Sequence, residues 1–137
     1  MNLSQHLTKL NKRVETRIPA ATNIVAKESV NFFKQTFNVG GWMDNGVEYW
    51  KPRKNKRLKH RLMWKSGALR RSTVSHNISK NKVKIVSDLP YSEIHNSGGQ
   101  GLAWGKYPFT MPKRQYMGKS NLLNSLCLKI IKQTLAL

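Results

Sequence analysis

Leu3, Leu7, Leu10 and Val14 recur at steps of three and four residues, the spacing that places side chains on one face of a helix. Pro19 follows. A proline removes one backbone hydrogen bond and crowds the turn before it, so the pattern predicts that the first helix stops there. A second helix then starts with Pro19 in its first turn and runs over about residues 20–37. Ala21, Ile24, Val25, Phe32, Phe33 and Phe37 form its apolar side, and Gly40-Gly41 ends it. Near the other end of the chain, Leu122, Leu123, Leu126, Cys127, Ile130, Ile131 and Leu135 make two adjacent rows at four-residue spacing. Ser120 is positioned to cap that helix, and Lys129 and Lys132 complement its C-terminal dipole. Residues 1–39 therefore read as a helical N-terminal arm and residues 120–137 as a C-terminal helix.

The middle of the chain changes period. Val74, His76 and Ile78 alternate with polar residues and share one predicted face, and Val83 and Ile85 flank Lys84. This predicts a hairpin of strands 72–78 and 83–87 joined by Ser79-Lys80-Asn81-Lys82. Pro90 opens a short helical turn over 91–96, with Gly98-Gly99 closing it and Tyr91 and Ile94 facing the core. Phe109-Thr110-Met111 reads as a short strand before Pro112. Segments 40–62 and 97–108 carry no period and read as irregular, with Asp44-Asn45-Gly46 as a turn. The predicted class is α+β: a small antiparallel β-sheet packed with long N-terminal and C-terminal helices. At 137 residues the chain fits a single domain, 1–137.

Composition removes several classes. No apolar run approaches the roughly 18 residues needed to span a bilayer. The opening residues Met1-Asn2-Leu3-Ser4-Gln5-His6 lack the apolar stretch of a signal peptide. Cys127 is the single cysteine, so an internal disulfide is excluded, and its place on an apolar stripe suits a small buried hydrophobe. The last helix lacks the interfacial aromatics of a membrane-surface anchor, which argues against a membrane partner.

Charge adds a local feature. There are 25 Lys and Arg against 6 Asp and Glu, a net charge of +19. No acid stands between Glu48 and Asp88, and none follows Glu93. Lys51, Arg53, Lys54, Lys56, Arg57, Lys59 and Arg61 concentrate the charge in segment 50–62, which reads as a basic, mobile loop. Such a run serves either as a solvated loop or as a contact for phosphate or an acidic protein surface. Trp50 and Trp64 flank it rather than interleave with it, unlike the stacking platforms of single-strand binders.

Catalytic constellations are missing from the pattern. His6, His60, His76 and His95 are scattered, without paired cysteines or a four-residue His spacing that would hold a metal. Six acids leave little material for two-metal chemistry, and no phosphate-cradling glycine loop is present. The sequence thus calls for a non-enzymatic protein with no cofactor and no metal.

Four short segments, in order, resemble the phage virion morphogenesis family, whose members act in tail completion. Gly46-Val47-Glu48-Tyr49-Trp50-Lys51-Pro52 is similar to its G-x-x-x-W-x-P segment. Residues 62–72, with Leu62, Gly67, Leu69 and Ser72, resemble its L-x-x-(S/T)-G-x-L-x-x-S element. Residues 91–99, with Tyr91, Ile94, His95, Gly98 and Gly99, resemble Y-A-x-I-H-x-x-G-G, with Ser92 where the family usually has Ala. Residues 111–120, with Pro112, Arg114 and Gly118, resemble I-P-x-R-x-F-(L/M)-G-x-S, with Tyr116 where Phe is common. The motif residues read first as fold markers: Gly67 as a bend, Pro112 and Arg114 as fixing the approach to the last helix, and Arg114 as able to hold a carboxylate or a helix end.

The resemblance implies a structural protein of a phage or prophage virion, at the tail or head–tail junction, assembled in the host cytoplasm. It implies other tail or neck proteins as partners and a homo-oligomer, ring-like or otherwise, as the working form. Segments 40–62 and 97–110, with Trp42, Trp50 and Trp104, are the expected inter-subunit arms. The alternative reading is a small basic nucleic-acid-binding protein, with the 51–61 run on DNA.

Overall fold

The computed structural model describes residues 2–136. Helix α1 spans Leu3–Val39 without a break, roughly 55 Å at about 1.5 Å per residue. Asn2 and Gln5 form a reciprocal capping box at its start, and Gly40 ends it in the left-handed conformation at φ 78°. The predicted break at Pro19 does not occur. Proline costs a helix interior about 3 kcal/mol, but both flanking segments are helical in their own right. Glu15, whose carbonyl loses its partner, is exposed, so water can replace the missing N–H. The next turn is docked: Ala21 is buried, and the Thr22 hydroxyl lies 2.9 Å from the Ile18 carbonyl and 2.8 Å from that of Lys80.

Three two-stranded antiparallel sheets follow, where one was expected. Strands β1 (Gly41–Met43) and β2 (Val47–Tyr49) pair within the segment read as irregular. Three-residue strands are too short to show alternation, and this hairpin depends on close approach. A Cβ on Gly41 would stand 2.6 Å from the Glu48 carbonyl oxygen. After the short helix α2 (Ala68–Arg71) comes the predicted hairpin, β3 (Val74–Ser79) with β4 (Lys82–Val86). On β4, Val83 and Ile85 alternate with exposed Lys84 as expected, but on β3 the apolar set lies on the opposite face of the hairpin. Ile85 packs inward near Phe33, Trp42 and Leu123, while Val74, His76 and Ile78 are exposed. Val74 pairs with Val86 and Ser75 with Ile85, so the inward β3 positions are the polar Ser75 and Asn77. Asn77 faces α1 and donates to Asn23 at 3.0 Å.

Helix α3 (Ser92–Ser97) leads into a third hairpin, β5 (Gly99–Ala103) with β6 (Tyr107–Met111). Only the end of β6 was legible, because Gly99-Gln100-Gly101 lacks strand-forming side chains. The Phe109 ring instead covers paired Gly101, where a Cβ would lie 2.6 Å from the ring. Trp104 at φ 51° and Gly105 at φ 70° make the turn. Helix α4 (Asn121–Thr134) returns along α1: Leu123 packs by Phe33, and Cys127 lies 3.9 Å from Ser29.

Two adjoining clusters form the core. One contains Phe33, Trp42 and Leu123, with the Phe33 and Trp42 rings stacked. The other contains Phe37, Trp50, Leu69 and Tyr116. Met117 packs against both. The first hairpin also caps α4. Asp44 Oδ1 accepts from Asn121 N at 2.7 Å, which sets its carboxylate at the positive end of the helix dipole, and Ser120 Oγ donates to the Met43 carbonyl at 2.6 Å.

Candidate functional site

The four sequence motifs meet at one place. Trp50 is 6% exposed, and its Nε1 donates to the Gln115 carbonyl at 2.8 Å. Arg114 Nε and Nη2 both donate to the Lys51 carbonyl, at 3.0 and 2.9 Å. The guanidinium therefore holds a backbone oxygen, where a carboxylate or helix end was anticipated. The Arg114 amide donates to the His95 carbonyl at 2.9 Å. The side-chain oxygen of Asn96 accepts from the amides of Tyr116 and Met117, at 2.9 and 3.0 Å. Leu69 closes the arrangement through its contacts with Phe37, Trp50 and Tyr116. The first, third and fourth motifs are thus stitched by hydrogen bonds, and the second joins through the core.

The glycines act by proximity. Gly98, at φ 72°, lets the Lys113 backbone approach, since a Cβ there would stand 2.8 Å from its nitrogen. Gly67, at φ 75°, is buried, with the Arg71 guanidinium and the Trp64 ring against the place of a Cβ. Gly99 begins β5, and Gly118, at φ 146°, sits beside the Gln115 amide. Leu62, Ile94 and Pro112 are half-buried, and Leu62 packs on the second core cluster. Tyr91 departs from expectation. It is 43% exposed, and its ring stands edge-on to His95 at 5.8 Å instead of entering the core.

Beside this node lies a cleft of about 420 Å³ lined by His60, Met63, Lys65, Ser66, Gly67, Ala68, Leu69, Tyr91, His95 and Arg114. None of these residues is acidic. Burial, and then the Arg114 charge, hold the His95 imidazole below its usual 6.5, and its Nδ1 is buried without a hydrogen-bond partner. Burial, and then the Arg53 charge, lower the Arg114 pKa. A second concavity of about 420 Å³ runs along the third hairpin, lined by Gln100, Gly101, Leu102, Pro108, Phe109 and Thr110. It has no titratable side chain, so the charged chemistry resides in the first cleft. Among the described residues no group of three His, Cys, Asp or Glu is placed to hold a metal ion.

The basic run leads up to this cleft. Lys51, Pro52, Lys54, Lys56, Arg57, Lys59 and Arg61 are exposed, and no regular element forms between residues 50 and 67. Arg53 turns inward, donating to the carbonyls of Leu58 and His60. The segment is therefore folded about one of its own cations. Arg61 and Arg70 lie over the Trp64 ring at 5.4 and 5.1 Å. Trp42 and Trp50, expected on inter-subunit arms, are both core residues at 6% exposure. Trp104 alone of that group projects, at 89% exposure. Sequence reading passed over Asn96 and His60. The placement of Asn96 at the end of a short helix, just before a glycine pair, was the available signal for the former, and none marked the latter.

These features define a small α+β protein whose four motif segments converge on one packing node. The phage virion morphogenesis family matches residues 2–136, nearly the whole chain, and the protein belongs to that family. Its role is therefore in building the phage virion. No curated protein and no solved structure matches it significantly. No helix among the described residues is long and apolar enough to cross a membrane.

Proposed function

We propose that the protein completes the phage tail or joins it to the head, working without catalysis through self-association and docking to tail or neck proteins. The observation that carries this reading, beyond family membership, is apolar surface displayed on two projecting elements. Leu3 and Leu7 at the start of α1 are 73% and 49% exposed. On the third hairpin, Leu102, Trp104 and Tyr107 are 60%, 89% and 62% exposed. Aromatic and aliphatic side chains displayed this way suit anchors for a partner's pockets. The working form in this reading is a homo-oligomer at the tail or head–tail junction, formed in the host cytoplasm before incorporation. Electron microscopy of particles made without the protein tests it. Separate heads and tails, or tails of abnormal length, are expected, and normal infectious particles would refute it.

The exposed Lys54, Lys56, Arg57, Lys59 and Arg61 favour a second reading, contact with DNA. Its signature is an affinity for duplex that falls steeply with salt. Replacing Lys54, Lys56, Arg57 and Arg61 with Gln would flatten that slope if the reading holds. Assembly through the projecting elements predicts little change.

A further inference from the structure

The cleft beside the motif node holds positive charge without a counter-ion in its lining. The Arg53 charge acts on Arg114, and both side chains spend hydrogen bonds on backbone carbonyls, which satisfy donors but leave the net charge in place. Arg114 commits Nε and Nη2 to Lys51, leaving Nη1 for an incoming acceptor. Lys65 lines the same cleft, and the His60 Nε2 lies 3.4 Å from the Arg53 guanidinium. Bringing a negative group into such a partly buried site relieves like-charge repulsion and gains charge-assisted hydrogen bonds. Met63 at the cleft stands at φ 60°, a conformation rare outside glycine and often found at ligand-contacting sites.

The shape decides between two sources of negative charge. A phosphodiester backbone on a duplex is a convex ridge, and the exposed Lys54, Lys56, Arg57 and Lys59 would meet it outside the cleft. The cleft itself is concave, and Met63, Ala68, Leu69 and Tyr91 give it apolar wall. Its volume suits one or two side chains. Apolar walls with a few convergent cations match a carboxylate carried next to an aliphatic group.

We propose that this cleft is a socket for an acidic side chain, Glu or Asp flanked by an apolar residue, presented by a partner protein of the virion. The carboxylate meets Arg114 Nη1 and Lys65, and the apolar neighbour lies against Met63, Leu69 and Tyr91. The proposal rests on the assembly role for the partner being a virion component, and on the cleft alone for the chemistry.

The test uses the full chain and two small probes, N-acetyl-leucyl-glutamate amide and its glutamine counterpart, followed by NMR at the His95 and Tyr91 rings. The glutamate probe is expected to give saturable shifts at both rings, and the glutamine probe none. Lys65→Glu, an exposed position with an unaltered fold expected, should weaken the response at least about fivefold. Arg114→Gln should abolish it, and an unchanged Trp50 indole signal would certify its fold. Three results would overturn the proposal: equal response to both probes, shifts confined to residues 54–61, or tighter occupancy of the cleft by inorganic phosphate or a short DNA duplex. Because no particle is involved, such a failure leaves the assembly role standing, and normal particles without the protein would leave the socket chemistry standing.

Discussion

Arg114 grips the backbone carbonyl of Lys51 with two donors, 63 residues away along the chain. This contact fixes where the basic segment leaves the folded body, because Trp50 immediately before it is buried and Pro52 immediately after it is exposed. A planar fork suits one oxygen approached by two parallel N–H groups, whereas a lysine ammonium supplies a single directed bond. Arg114→Lys is expected to cost about 1–2 kcal/mol in urea unfolding, discounted for partial exposure. It should also loosen residues 51–62 in hydrogen exchange more than it loosens α1. Equal loosening everywhere would mean the contact is not local.

Tyr116 yields a prediction of opposite sign. It is fully buried between Phe37 and the motif node, and its hydroxyl has no hydrogen bond of standard geometry. Burial pushes its phenol above the usual 10, and the nearby Ser87 and Ser92 hydroxyls oppose that only in part. Removing an unsatisfied buried polar group is neutral or favourable. Tyr116→Phe should leave stability unchanged or raise it by up to about 1 kcal/mol. Tyr116→Ala should cost about 3–5 kcal/mol through the cavity it opens. A loss above about 1 kcal/mol for the Phe variant would show that the serines hold the hydroxyl after all.

The sequence made the terminal helices and the central hairpin legible because each displays a period, as in the Leu122 to Ile131 rows of α4, whereas the four residues of α2 are too few to show one. It failed where packing outweighs local rules. Pro19 looked like a break because its cost is local, while the docking of Ala21 and Thr22 that carries the helix through comes from elsewhere in the fold. Trp42 looked like an interface anchor because its three-residue strand shows no alternation, yet its ring stacks on Phe33. Val74, His76 and Ile78 share a face by their alternation, but it is the exposed one, because Ile85 on the partner strand fixes the inward face. The motif order marked the residues that converge, and the cleft they border stayed invisible because His60 lies in the basic segment and Lys65 just beyond it, neither on any period.

His95 gives the fold a pH dependence. Its folded pKa lies below 6.5, from burial first and the Arg114 charge second. Between that lowered value and 6.5 the unfolded chain binds more protons than the folded one, so stability rises with pH across this window. The His95 contribution is fully present above 6.5 and is lost as pH falls through the folded pKa. Urea unfolding from about pH 8 down to about pH 5 should show a fall in stability that is shallower in His95→Asn. The same slope in both proteins would assign the effect to another group.

Trp104 separates folding from assembly. It is 89% exposed at the tip of the third hairpin and touches Tyr107 edge-on at 6.2 Å, outside both core clusters. Substitution at such a position changes stability by less than about 0.5 kcal/mol. Trp104→Ala should therefore unfold at the wild-type urea midpoint. If the hairpin is an assembly anchor, the same variant should lose self-association in analytical ultracentrifugation and fail to rescue particles lacking the protein. Trp50→Ala should fail both measurements, because it empties the core and removes the bond to Gln115. A Trp104→Ala protein that folds, associates and rescues particles normally would remove the hairpin from the assembly surface, leaving the exposed start of α1 as the element to test.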